Sequence, residues 1–191
     1  RAGVAGLRLN PGNIGGAEQV RQVAAAAKAA GIPIRVGVNG GSLPKDILAA
    51  AGGITPEGLC EAALRQAGLL EDAGFSAIKL SLKCSDLPVM LAAYRRIAQL
   101  CDYPLHIGVT EAGPLYRGSV KNAIGIGALL SEGIGDTLRV SLTADPVAEV
   151  RLAREILSML GIRRQGWEFI SCPTCGRTRV DLIPLALRIE E

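Results

Sequence analysis

The sequence has 191 residues, 49% hydrophobic and 20% charged, a balance that fits a soluble globular enzyme and excludes a disordered chain. A formal charge of +3 is too small to specify nucleic acid or a membrane surface, and three Tyr, two Phe and one Trp are too few for base-stacking platforms. No apolar run reaches the length of a membrane span, and nothing at the start resembles a signal peptide.

The first residue is Arg1 rather than Met, so a piece of a longer protein is expected. Five cysteines, an odd number set mostly in apolar segments, point to a reducing cytoplasm rather than a disulfide framework.

In chain order, an apolar run over 4–9 predicts a strand that ends in the turn Asn10-Pro11-Gly12-Asn13. An alanine-rich helix over 18–30 stops at Gly31. A strand over 34–38 follows, then the loop Asn39-Gly40-Gly41-Ser42 and an alanine- and glycine-rich crossover. Thr55-Pro56-Glu57 is a helix cap with proline in the first turn, and that helix runs to about Ala73. Next come a strand over 77–82, a helix over 86–100 capped by Asp86, and a strand over 105–109. The pattern continues with a helix over 119–131, a strand over 137–142 and a helix over 146–160 stopped by Gly161. Residues 167–170 lead into Cys172-Pro173-Thr174-Cys175.

Five strand–helix units at roughly 30-residue spacing predict a parallel sheet covered by helices. A complete eight-unit barrel needs about 250 residues, so the chain is expected to be an open sheet or a barrel lacking units. A domain break is expected near Arg163-Arg164-Gln165-Gly166, giving 1–163 and 164–191.

Alternate residues of a strand share a face, and each predicted strand carries one polar row. The rows are Arg8 and Asn10; Arg35 and Asn39 with Gly37 between; Lys79, Ser81 and Lys83; His106, Gly108 and Thr110; and Arg139 and Ser141. The opposite rows are apolar and are expected to meet the helices. Each polar residue alone reads as a rim or hydrogen-bonded residue, but five rows that carry cations or hydrogen-bonding groups, with Glu111 as the clearest acid, demand a counter-charge. Ligand phosphates supply it most simply, held by arginine forks and lysine point charges. The glycine-rich turns after the first two strands offer backbone amides to the same oxyanion, or serve only as turns.

Two cysteines three apart are soft donors for zinc, an iron–sulfur cluster or a redox dithiol, and they make half of a four-ligand site. Cys60, Cys84 and Cys101 read as bystanders, Cys84 being nearest the expected site. Two other readings stay open. One is a phosphate-sugar aldolase or lyase with Lys79 or Lys83 as the Schiff-base lysine; the other is a zinc-stabilised interaction module built on Cys172 and Cys175.

The motifs LRLNPGNIG at 7–15, IRVGVNGGSL at 34–43, KLSLK at 79–83, HIGVTEAG at 106–113, LSEGIGDTLRVSL at 130–142 and SCPTCGR at 171–177 stand in one order along nearly the whole chain. In this the sequence resembles the hydroxymethylbutenyl diphosphate synthases of the non-mevalonate isoprenoid pathway. The resemblance implies about five C-terminal units of a (β/α)8 TIM barrel over 1–163, followed by the start of a [4Fe-4S] α/β domain over 164–191. It implies reductive ring opening and dehydration of 2-C-methyl-D-erythritol 2,4-cyclodiphosphate to (E)-4-hydroxy-3-methylbut-2-enyl diphosphate, with electrons from ferredoxin or flavodoxin, in a cytoplasmic homodimer.

By the same resemblance Arg8, Lys83, Arg139 and Ser141 hold the diphosphate. Arg35, Asn10 and Asn13 support it, and Asn39 and Thr110 complete the substrate-binding set. Glu111 is the catalytic acid, and Cys172 and Cys175 are cluster thiolates. Three strands before Arg1, a third cysteine and a ligating glutamate beyond Glu191 belong to the family pattern but not to this sequence. The piece alone is therefore expected to be inactive.

Overall fold

Residues 3–163, 170–173 and 175–190 are described by a computed structural model of the chain. Its elements are cut out by local signals. Helix α1 (Ala17–Ala30) ends where Gly31 takes φ 65° and returns its amide to Ala27 and Lys28. Helix α3 (Pro56–Asp72) begins where Thr55 accepts the Gly58 amide, α4 (Leu87–Leu100) where Asp86 accepts that of Val89, and α6 (Pro146–Met159) where Asp145 accepts that of Val147. Helix α5 spans Leu115–Ser131.

The strands are β1 (Leu7–Leu9), β2 (Ile34–Asn39), β3 (Ile78–Lys83), β4 (His106–Ile107) and β5 (Thr137–Leu138). β1, β2 and β3 form one parallel sheet, and β4 and β5 a second parallel pair. A parallel bridge between Leu80 and Leu105 joins the two. The strands thus stand in chain order and all run parallel. Among the described residues they form no closed barrel, since β1 and β5 each have a single neighbour.

The apolar rows are inside. Ile34, Val36, Leu80, Leu82, Ile107 and Val109 are fully buried against α3, α4 and α5, each burial contributing roughly 1.5–3 kcal/mol.

Several boundaries differ from those expected. β1 starts at Leu7 rather than at residue 4, and a short helix, α2 (Lys45–Ala51), occupies the stretch read as a plain crossover. Helix α5 starts directly after Pro114, four residues earlier than its expected start. β4 and β5 are two residues long because side chains replace the ladder beyond them. Asn122 Oδ1 accepts the Ser141 amide and its Nδ2 donates to the Ser141 carbonyl, while Glu149 accepts the Leu142 amide at 2.7 Å. A further helix, α7 (Leu182–Glu190), lies past the cysteine pair. The expected domain break at residues 164–166 lies outside the described residues, as do residues 167–169 of the run leading into the cysteines; Ile170 is exposed and in no strand.

Candidate active site

The polar face of the sheet is built by register. Arg8 stands beside Arg35 and Arg35 beside Lys79; one step on, Gly37 stands beside Ser81, and two further, Asn39 beside Lys83. His106 pairs with Thr137 across β4 and β5. Parallel pairing without slippage therefore lines up the cations of different strands rather than scattering them.

Two clefts open on this face and share Arg8. The first, of about 340 Å³, is lined by Arg8, Asn10, Asn13, Asn39, Thr110 and Glu111, with Cys84 in its wall. It lies at the C-terminal ends of the strands, where the loops after β1 and β2 lock together. Asn10 Nδ2 donates to Ser42 Oγ at 2.9 Å, and Asn10 Oδ1 accepts the Gly12 amide. Gly12 is required there, because a Cβ would meet the Ser42 carbonyl oxygen at 2.2 Å. The second cleft, of about 400 Å³, runs toward the N-terminal ends and is lined by Arg35, Lys79, His106 and Thr137.

The expected residues therefore do not share one cleft. Arg35 faces the second, while Lys83, Arg139 and Ser141 line neither. Lys83 is 4% exposed and buried among like charges. Burial first, then Arg139, Arg35 and Arg8, pulls its ammonium down to about 7. Arg35 is lowered by its own burial and by Arg8 and Arg139. These four cations thus feel one another although they do not share one cleft. The ion pairs of the described residues all lie on the outer surface, and none involves Arg8, Arg35, Lys79, Lys83 or Arg139.

His106 is held neutral, pushed down to about 3 by burial and then by Lys83, Arg35, Arg139 and Lys79. Its Nδ1 lies 2.9 Å from Thr137 Oγ1, and its buried Nε2 has no partner among the described residues. Glu111 is the one non-glycine among the described residues at positive φ, 54°, and it is exposed at the rim of the first cleft. A carboxylate held in the left-handed region at a cleft mouth is a strained placement of the kind that concentrates at functional sites. Chemically, such an arrangement can hold a polyanion along the cations and present one acid to it.

The model of the GcpE TIM-barrel domain matches residues 1–154. The chain belongs to the GcpE family. It is 55% identical over 188 residues to the 4-hydroxy-3-methylbut-2-en-1-yl diphosphate synthase (flavodoxin) of Ruminiclostridium cellulolyticum, covering 98% of this chain and 53% of the relative. The proteins of the same name from Caldanaerobacter subterraneus subsp. tengcongensis and Geobacter sulfurreducens are 57% and 54% identical, over 96% and 99% of this chain and 52% and 54% of theirs. The chain spans about half the length of the curated relatives it matches.

In this GcpE chain Cys172 and Cys175 are free and exposed, and they line neither cleft. As soft thiol donors they suit an iron–sulfur cluster in kind, but no group of three or more His, Cys, Asp or Glu gathers among the described residues. The pair therefore fits as part of a ligand set. Cys60 and Cys84 are buried, and burial pushes the Cys60 thiol up to about 11.

Two residues of this GcpE site were not singled out from the sequence. Asn122 is fully buried in α5 and fixes the backbone of Ser141. Tyr94, fully buried in α4, bonds both β3 and β4. Asn122 carried a signal: a lone amide at the helical spacing of Gly118, Gly125 and Leu129, on the face that turns inward.

Proposed function

We propose that this chain is the substrate-holding part of an enzyme that reduces 2-C-methyl-D-erythritol 2,4-cyclodiphosphate to (E)-4-hydroxy-3-methylbut-2-enyl diphosphate. The observation that carries the reading is the set of cations around buried Lys83 with no acid partner among the described residues, on a chain more than half identical to synthases of that product. In the reaction two electrons and two protons enter, the cyclic carbon–oxygen bond opens and water leaves.

Arg8, Lys83, Arg139 and Ser141 hold the diphosphate by charge-assisted hydrogen bonds, with Arg35 behind them. The Asn10–Asn13 turn, Asn39 and Thr110 shape the first cleft around the rest of the ligand. Glu111 carries the proton that goes to a departing oxygen, and its exposure at the rim keeps it in exchange with solvent. His106 stays neutral and does not add a further positive charge beneath Lys83.

Cys172 and Cys175 are the residues of this chain that would hold a [4Fe-4S] cluster, completed by ligands from the longer protein. Such a cluster, when bound, supplies electrons one at a time from reduced flavodoxin or ferredoxin. In this reading residues 1–163 are about five units of a (β/α)8 barrel and 164–191 begin the cluster domain. The longer protein acts as a homodimer in the cytoplasm. Among the described residues no helix is long and apolar enough to cross a membrane.

The test is conversion of the cyclodiphosphate by the full-length protein, prepared without oxygen and supplied with reduced flavodoxin. Formation of the linear diphosphate is expected, and its absence with a loaded cluster overturns the reading. The lowered Lys83 ammonium favours a second reading, an aldolase or lyase that forms a Schiff base there. Borohydride trapping of a carbonyl substrate on Lys83 would establish it.

A further inference from the structure

We infer that Gly37 is a positioning residue whose missing side chain forms the slot in which Arg8 lies across strand β2. The inference rests on the reading of Arg8 as an anion-holding residue. A Cβ built on Gly37 would stand 2.5 Å from Arg8 Nε and 3.2 and 3.3 Å from its Cγ and Cδ. The Arg8 side chain therefore passes flat over this one residue. Its NH2 group donates to the Gly37 carbonyl oxygen at 2.9 Å, so the glycine both makes room for the guanidinium and anchors it.

Nothing else in the strand calls for a glycine at this position. Gly37 sits between Val36 and Val38 in the middle of β2, paired with Ser81 of β3, and its φ is not positive. Glycine in a strand interior weakens the strand and marks a close approach. Here the approaching group is an arginine that reaches both clefts. An alanine would fit the backbone but would push the guanidinium out of its place. The three atoms nearest the added Cβ all belong to the flexible Arg8 side chain, so the displaced group is the binding residue and not the fold. Gly108 differs, because a Cβ there meets the Arg139 carbonyl oxygen at 2.5 Å and would disturb the chain itself.

A double-mutant cycle in the full-length protein tests this, with inorganic diphosphate binding measured by calorimetry and turnover measured on the cyclodiphosphate. Gly37→Ala is expected to weaken diphosphate binding roughly tenfold and to raise KM more than it lowers kcat. In an Arg8→Ala background the same substitution is expected to add nothing. If Gly37→Ala weakens binding equally with and without Arg8, or lowers the melting temperature equally in both backgrounds, the glycine serves the fold and the inference fails. If Arg8→Ala itself leaves binding unchanged, the anion-holding reading of Arg8 fails first. If Arg8→Ala weakens binding and Gly37→Ala does not, only the slot is disproved.

Discussion

The Tyr94 hydroxyl stands between Leu82 and His106, accepting the Leu82 amide at 3.0 Å and donating to the His106 carbonyl oxygen at 2.7 Å. One step earlier in the ladder the Leu80 amide donates directly to the Pro104 carbonyl at 2.9 Å. The hydroxyl thus takes the place of the next β3–β4 bond and holds the two strands apart beneath Lys83. Tyr94→Phe leaves two buried backbone groups without partners and is expected to destabilise the chain by roughly 2–4 kcal/mol. Denaturant unfolding checks this, and a loss below about 1 kcal/mol would mean that the strands close up directly.

Lys83 predicts a pH dependence of binding. Its ammonium, held down to about 7, is partly deprotonated at neutral pH, and a bound diphosphate restores the charge. Binding is therefore expected to take up a proton, and affinity to fall as pH rises from 7 toward the ordinary lysine range. Calorimetry in buffers of different ionisation enthalpy measures the uptake. Lys83→Met should remove the part that does not come from the ligand itself; equal uptake in both proteins would refute the assignment.

His106 predicts an acid limb in stability. An unfolded imidazole binds its proton below about 6.5, whereas in the folded chain burial and the surrounding cations delay protonation to about 3. Between those values the unfolded state holds more protons, so stability rises with pH and is lost as pH falls from 6.5 toward 3. His106 is the only histidine of the sequence, which makes its ring nitrogens unambiguous in nitrogen-15 spectra. Neutral-imidazole shifts should persist at pH 5, and His106→Gln should flatten the unfolding slope between pH 6.5 and 5.

Glu111 joins strain to chemistry. With φ at 54° it occupies a conformation that glycine adopts at no steric cost. Glu111→Gly is expected to stabilise the fold by about 0.5–1 kcal/mol while abolishing turnover in the full-length enzyme. Glu111→Gln should lower turnover and leave diphosphate binding near normal. A Gln variant with full turnover would remove Glu111 from proton transfer.

The cysteine pair is tested by metal content. The full-length protein purified without oxygen should carry about four iron and four sulfide per chain, while the 191-residue chain, with only Cys172 and Cys175 free of the barrel part, should retain none. In the full-length protein Cys172→Ser or Cys175→Ser should remove the iron and its visible absorption with the fold intact by circular dichroism. Stoichiometric zinc with no iron would move the pair to a structural role, and a Cys172–Cys175 disulfide formed on turnover would make it a redox dithiol.

The strand–helix order, the parallel sheet and the inward rows were legible in the sequence, because period and caps are local. Val36 and Val38 alternate with Gly37 whatever lies across the sheet, and Thr55, Asp86 and Asp145 satisfy amides only two or three residues away. The polar rows were legible for the same reason. Tertiary structure alone decided how those residues divide between two clefts, and which of them are buried. Lys83 at 4% exposure and Arg139 exposed have the same sign of charge in similar strand contexts. Their surroundings come from other elements: Gly108 lies beside both, and Asn122 of α5 fixes Ser141 two residues past Arg139. The Asn122 bonds that end the β4 and β5 ladder, the Tyr94 wedge and the Gly37 slot are likewise long-range: each is set by a side chain or backbone group more than ten residues distant.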